Sequence, residues 1–294
     1  METNPYPQTT TVTPKNSGLA IASLVCGILG LCLIVPSLFG GIFGIIALIK
    51  INKSQGALKG SGFAIGGLIT SGLAILILIP ASMLLPALAK AKAKANRIKC
   101  VNNLGSIGKS LTGFADMNGQ RLPWRLLESQ QANHQFNSPG VGAGSAAQIV
   151  NIAAMRSELQ TPKILASPSD PERMAANEML QANWKAASET DIAAGLSYVF
   201  AAPGGDVQRP STVLALTRNI RSDLTSDWTG ADEYPVHPHA MSGLNKSQGQ
   251  LVLADGSAKQ SSNADLGMNG KITKAHVNSR GGQYLGSAST AVLR

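Results

Sequence analysis

The sequence predicts a membrane α-helical N-terminal module followed by an α+β head, carried on a long amphipathic helix and built around a small antiparallel sheet. Three observations predict it. No charged residue occurs from Asn16 to Ile49 or from Gly60 to Ala89, and each stretch exceeds the run of about 18 uncharged apolar residues that marks a membrane span. Leu84, Leu88, Ala91, Ala95, Ile98, Val101, Leu104, Ile107, Leu111 and Phe114 advance by three or four, which is one face of a continuous helix. Farther on, Leu196–Phe200, Thr212–Leu216 and Gln250–Lys259 are β-like runs, the last a hairpin turning at Asp255-Gly256.

Composition narrows the function classes. Charged residues are 14% of the 294, against a usual ~25%, and the net charge of +9 is unevenly placed. Residues 1–99 hold nine basic groups and one acid, whereas residues 100–294 hold 16 basic and 15 acidic groups. The basicity flanks the membrane, so the C-terminal two thirds lacks the excess that phosphate-backbone binding needs, and no nucleic acid is expected as a partner. The cysteines form no zinc or disulfide pattern: Cys26 and Cys32 lie in an apolar run and Cys100 stands alone.

Three domains follow in order. Residues 1–16 are rich in Pro, Thr and Asn without apolar periodicity and read as a disordered tail. Residues 17–82 form a Gly-rich transmembrane module of two to three spans, and residues 83–294 form the extended helix and head. Within the module, Ser17–Pro36 aligns without gaps on Ser61–Pro80, with seven identities in 20 positions and a Lys two residues before each Ser. Both copies should enter from the same side, so the chain returns between them through Ser37–Ile49. Thirteen residues cover only about 20 Å of a ~30 Å hydrocarbon core, so three crossings and a hairpin plus one crossing both satisfy the sequence. Small residues recur at helix-packing spacing: Gly40 with Gly44, Gly62 with Gly66, and the row Ala22, Cys26, Gly30. These permit close backbone approach in lipid, between helices of one chain or in a lateral homo-oligomer.

The amphipathic helix passes a basic run, Lys90, Lys92, Lys94, Arg97 and Lys99, and stops at Asp116-Met-Asn-Gly119. Two helical stretches follow, Ala146–Leu159 and Pro171–Ala187, before the strands.

Residues 17–80 resemble an uncharacterised Gly-rich bacterial membrane family, which implies membrane residence and no known activity. Residues 83–119, MLLPALAKAKAKANRIKCVNNLGSIGKSLTGFADMNG, resemble the helix of type IV pilin-like and type II secretion pseudopilin-like proteins. Further blocks extend the likeness over about 62–260: TPKILASPSD at 161–170, LSYVFAAPG at 196–204, RPSTVLAL at 209–216, and His239 followed by QLVLADG at 250–256. The resemblance implies a pilin-like head outside a bacterial inner membrane, with the bilayer and membrane or secretion-system proteins as partners. Two departures count against polymerisation. The family's Glu five residues into the mature helix falls on Ile69 when counted from Leu85-Pro86, or on Gly67 when counted from Phe63. The Cys of the family's CPSD block is Ser167, which deprives Cys100 of a partner.

Several motifs imitate sites. Gly108-Lys109-Ser110 ends like a phosphate loop, yet Asn103 stands where the earlier Gly is needed. Asp116-Met-Asn-Gly119 opens like a calcium loop, but Leu127 replaces the bidentate Glu. His237 and His239, near Asp232 and Glu233, could ligate a metal given a third ligand. The expectation is therefore a non-enzymatic envelope scaffold with no catalytic residues and no cofactor. The alternative is a membrane-tethered metal-dependent receptor or enzyme using the His237/His239 loop.

Overall fold

The structure is a computed structural model that describes residues 15–30, 34–54, 58–134, 144–182, 184–204, 207–278 and 289–294. Most of the predicted tail, and Cys32, lie outside the described residues. The chain forms two units, Met1–Lys90 and Ala91–Arg294.

In the first unit, β1 (Lys15–Asn16) pairs in parallel with β2 (Leu58–Lys59). α1 (Gly18–Leu29) starts directly after β1, and α3 (Ser61–Met117) directly after β2. The two repeat copies therefore begin side by side and point the same way, with Ser17 N donating to Lys59 O at 2.9 Å. Between them runs α2 (Ile34–Lys53), a helix of 20 residues, about 30 Å at 1.5 Å per residue. The return segment is thus longer than its sequence reading. Pro36 does not close the preceding span; it lies in the first turn of α2, where a missing N–H leaves no helical bond unmade.

Each helix of this unit buries a row of four small residues at spacings of three, four and three. α1 and its capping residue bury Ala20, Ser23, Gly27 and Gly30; α2 buries Ser37, Gly40, Gly44 and Ala47; α3 buries Ala64, Gly67, Ser71 and Ala74. Of the predicted row Ala22, Cys26, Gly30, only Gly30 is buried; Ala22 and Cys26 are half-buried, and the buried row runs through Ser23 and Gly27. The large apolar side chains lie on the outside, including Ile21, Phe39, Ile45, Ile69, Leu76 and Leu84, each at least 46% exposed. Water would drive the opposite arrangement; small residues inside and large apolar ones outside is how helices pack in lipid. Pro36–Lys53 and Ser61–Met117 are both long and apolar enough to cross a membrane.

α3 comprises 57 residues and continues through Pro80 and Pro86. In the second unit its buried face is Cys100, Leu104, Ile107, Leu111 and Phe114. The upstream part of the predicted stripe departs from this, since Ile98 is 48% exposed and Val101 half-buried. α3 ends as predicted: Gly119 adopts φ +67°, and Gln120 N returns to Ala115 O at 2.7 Å.

Beyond it come α4 (Glu128–Gln131), α5 (Ala146–Asn151), α6 (Ala153–Leu159), α7 (Pro171–Ala182) and α8 (Glu189–Gly195). The predicted helix at 146–159 is broken at Ile152, whose ψ of 131° is extended. α8, opened by a Ser188/Asp191 capping box, and α9 (Lys271–Asn278) were not expected from the sequence.

The antiparallel sheet runs β3 (Tyr198–Phe200), β4 (Val213–Thr217), β5 (Gly249–Leu253), β6 (Ala258–Ser261) in that order. One face, with Tyr198, Phe200, Leu214 and Val252, joins the α3 core. The other, with Val199, Leu216, Leu251 and Leu253, packs with Leu224, Trp228 and Leu266. Burial on both faces explains the consecutive apolar residues Val213–Leu216 in β4 and Leu251–Leu253 in β5. A register shift between Val213 and Ala215 puts Leu214 and Ala215 into the same core. Gly256 takes φ +82° in the β5–β6 turn, and Ser257 N donates to Asp255 Oδ1 at 2.8 Å. At the β3 edge, Phe200 and Leu293 exchange both backbone bonds.

Candidate functional site

The small-residue rows of the first unit meet one another through their glycines. A Cβ on Gly67 would lie 2.6 Å from the Ser23 carbonyl carbon, and one on Gly27 would lie 2.9 Å from Gly67 O. A Cβ on Gly40 would come 2.5 Å from Ser71 Oγ and 2.9 Å from Gly27 N, and one on Gly44 would come 2.9 Å from Ser23 Oγ. Ser23 Oγ donates to Gly40 O at 2.9 Å, joining α1 to α2. Gly66 meets only Leu24 Cδ1, at 3.3 Å, and Gly62 is exposed with nothing within 4 Å. Gly40 and Gly44 therefore sit at three-helix contacts, Gly66 at their margin and Gly62 outside them. Gly27 and Gly67 are contact residues that pairwise spacing did not single out; the complete 3-4-3 row is the signal that carries them.

In the second unit the SPSD block packs against β4 and the start of α7. Arg218, next after β4, clasps Asp170 in a two-pronged pair, Nε to Oδ2 and Nη2 to Oδ1, both 2.7 Å. Its Nη1 donates to Pro238 O at 3.0 Å, and Nη2 lies 3.5 Å from Glu172 Oε2. Asp170 is fully buried. Burial pushes its pKa up against the pull of Arg218.

Cys100 lies in the same unit beneath the sheet. Its Sγ is 3.3 Å from Gln250 Oε1, and Tyr198 Oη donates to it at 3.6 Å. The Ser167 hydroxyl also hydrogen-bonds the thiol, so the residue standing in for the family's cysteine is a neighbour of Cys100. Burial pushes this thiol up to about 11, which leaves it protonated and poorly nucleophilic.

The His237 and His239 rings lie 5.9 Å apart between centroids. Glu233, a nearby carboxylate, is bound by Arg221 Nη2 at 2.6 Å. Burial first, then the positive charges of Arg294, His237, Arg218 and Arg173, lower His239 to about 4. The pair faces arginines where a metal centre places carboxylates, and no group of three or more His, Cys, Asp or Glu able to hold a metal occurs among the described residues.

The remaining motifs have structural roles. Gly108 lies inside α3, where a Cβ would come 2.5 Å from Val252 Cγ2, so it admits β5 to the helix. Asp116 accepts from Gln120 Nε2 at 2.7 Å at the helix end.

No curated protein and no solved structure matches the chain. Residues 19–81, which hold all three small-residue rows, match the model of a family described as a domain of unknown function, DUF4190.

Proposed function

We propose that this chain is a non-enzymatic, membrane-anchored envelope protein whose pilin-like head serves as a scaffold or interaction component of type II secretion-like machinery. One observation carries the reading. A single helix, Ser61–Met117, bears an exposed apolar face in its first half and packs against a four-stranded antiparallel sheet in its second. That order of parts is what the resemblance to pseudopilin-like proteins implies.

The first half of α3 crosses an inner membrane, and α1 and α2 enter it as two further crossings or as a hairpin, α1 with 12 residues covering about 18 Å of the ~30 Å core. The N-terminus and the loop at 50–60 lie in the cytoplasm, and residues 100–294 lie in the periplasm. The parallel start of α1 and α3 supports an odd number of crossings. Charge counting alone places the head in the cytoplasm, because five basic residues follow the last apolar run; the resemblance decides otherwise, since that family exports its head past a similar basic run. The protein does not polymerise. At Gly67 a longer side chain would strike Ser23, and Ile69, the other position matching the family's Glu, is 65% exposed and apolar.

An alkaline phosphatase fused after Arg294 tests the orientation. Activity supports the reading, whereas an inactive phosphatase with a fluorescent cytoplasmic reporter overturns it. Intact mass of the mature protein should retain Ser17–Gly62; an N-terminus at Phe63, or purified filaments containing the chain, would contradict the absence of pilin processing.

A further inference from the structure

In the second unit, a groove of about 840 Å³ opens between α3 and the segment from Thr161 into α7, within the range of small-ligand sites, about 300–1,000 Å³. α3 supplies Lys92, Asn96, Lys99 and Asn103. Their spacing of four, three and four sets them on one helical face. The two asparagines tie the walls together: Asn96 Nδ2 donates to Pro168 O at 3.3 Å and Asn103 Nδ2 to Ala166 O at 3.1 Å. The groove is therefore preformed. Lys92, Lys99 and, from the opposite wall, Lys163 are exposed, while Glu178 is the one acid among the described lining residues. Ile164 and Met174 add apolar surface.

We propose that this groove binds an anionic phospholipid, its phosphate held among Lys92, Lys99 and Lys163 and the root of its acyl chains against Ile164 and Met174. Charge selects the class of ligand, because three ammonium groups against one carboxylate favour an anion. Position in the chain selects its source. Lys92 follows Leu88 by four residues in the same helix, and Leu84, Leu85 and Leu88 are each at least 66% exposed at the end of the apolar run. Cationic pockets beside membrane spans are where lipid headgroups are recognised. The choice of lipid rests on the bilayer reading of α3 given above.

Full-length protein in a neutral detergent is titrated with phosphatidylglycerol, or with phosphatidylcholine of the same acyl chains, and bound lipid is counted by native mass spectrometry. The expected result is a phosphatidylglycerol adduct that persists where phosphatidylcholine dissociates. K99Q/K163Q should weaken it about 25-fold, since each lysine near an anionic headgroup contributes about five-fold, without shifting the melting temperature. K259Q/K274Q, outside the groove, should bind as the parent does. Equal retention of the two lipids, or an adduct indifferent to K99Q/K163Q, overturns the proposal. Displacement of the lipid by millimolar inorganic phosphate or by an equimolar acidic peptide also overturns it, assigning the groove to a soluble anion or a peptide. A chain that stays monodisperse without detergent refutes the bilayer reading itself, which separates that failure from failure of the groove.

Discussion

Replacing Arg218 by Met removes the guanidinium that clasps Asp170 and leaves the carboxylate where it is, fully buried. Two charge-assisted bonds of 2.7 Å and the 3.0 Å bond to Pro238 O disappear together. Breaking a buried pair from one side costs about 3–5 kcal/mol, because the surviving charge has neither water nor partner. For a unit the size of Ala91–Arg294, each kcal/mol moves the melting temperature by about 2–4 °C, so R218M should melt about 10 °C lower. Tryptophan fluorescence of the full-length protein in detergent reads this unit alone, since Trp124, Trp184 and Trp228 all lie in it. The double variant D170N/R218M removes the stranded charge and should recover more than half of the loss. The pH dependence has a definite sign. Burial already raises the pKa of Asp170 in the folded state, and losing Arg218 raises it further. A raised folded-state pKa favours folding below the unfolded value, about 3.9, and that benefit is lost as pH rises through the folded value. The deficit of R218M should therefore shrink on acidification. Equal melting of R218M and the double variant, or a deficit that grows toward low pH, would refute the reasoning.

Three further outcomes are expected. Gly67→Leu forces a side chain into the Ser23 backbone and should abolish a monodisperse detergent-solubilised protein, whereas Gly62→Ala, in open space, should leave elution and melting unchanged. Ser167→Cys places a second thiol beside Cys100, and non-reducing peptide mapping should find a disulfide joining the introduced thiol to Cys100; closing that loop stabilises by about 4 kcal/mol on chain-entropy grounds. Burial lowers the pKa of His276, which accepts from Val213 N at 3.1 Å through Nδ1, and His239 is lowered to about 4. The stability each contributes is present above the unfolded value, about 6.5, and is lost as pH falls from there through the folded value; the fluorescence melting temperature should fall between pH 7 and pH 5, and less so in H239N/H276Q.

The sequence by itself determined the elements whose signal is local. Charge-free runs marked the apolar helices, the 17–36 and 61–80 repeat marked two parallel entries, the Asp116–Gly119 turn marked the end of α3, and Asp255-Gly256 marked the hairpin. The runs and turns are decided within about twenty residues by hydropathy or turn chemistry, and the repeat by comparing two such segments. Tertiary structure alone decided what depends on which surfaces meet. Asp170 and Arg218 are 48 positions apart, and neither neighbourhood carries a mark of the other. Ser167 beside Cys100, Leu293 beside Phe200 and Gly108 beneath Val252 are likewise contacts across folded distance. Glycine spacing could nominate Gly40, Gly44, Gly62 and Gly66, but in a Gly-rich helix several rows have similar spacing. Which row faces inward is set by the partner helices, and it is the row through Gly67, where the backbone of α3 lies against Ser23.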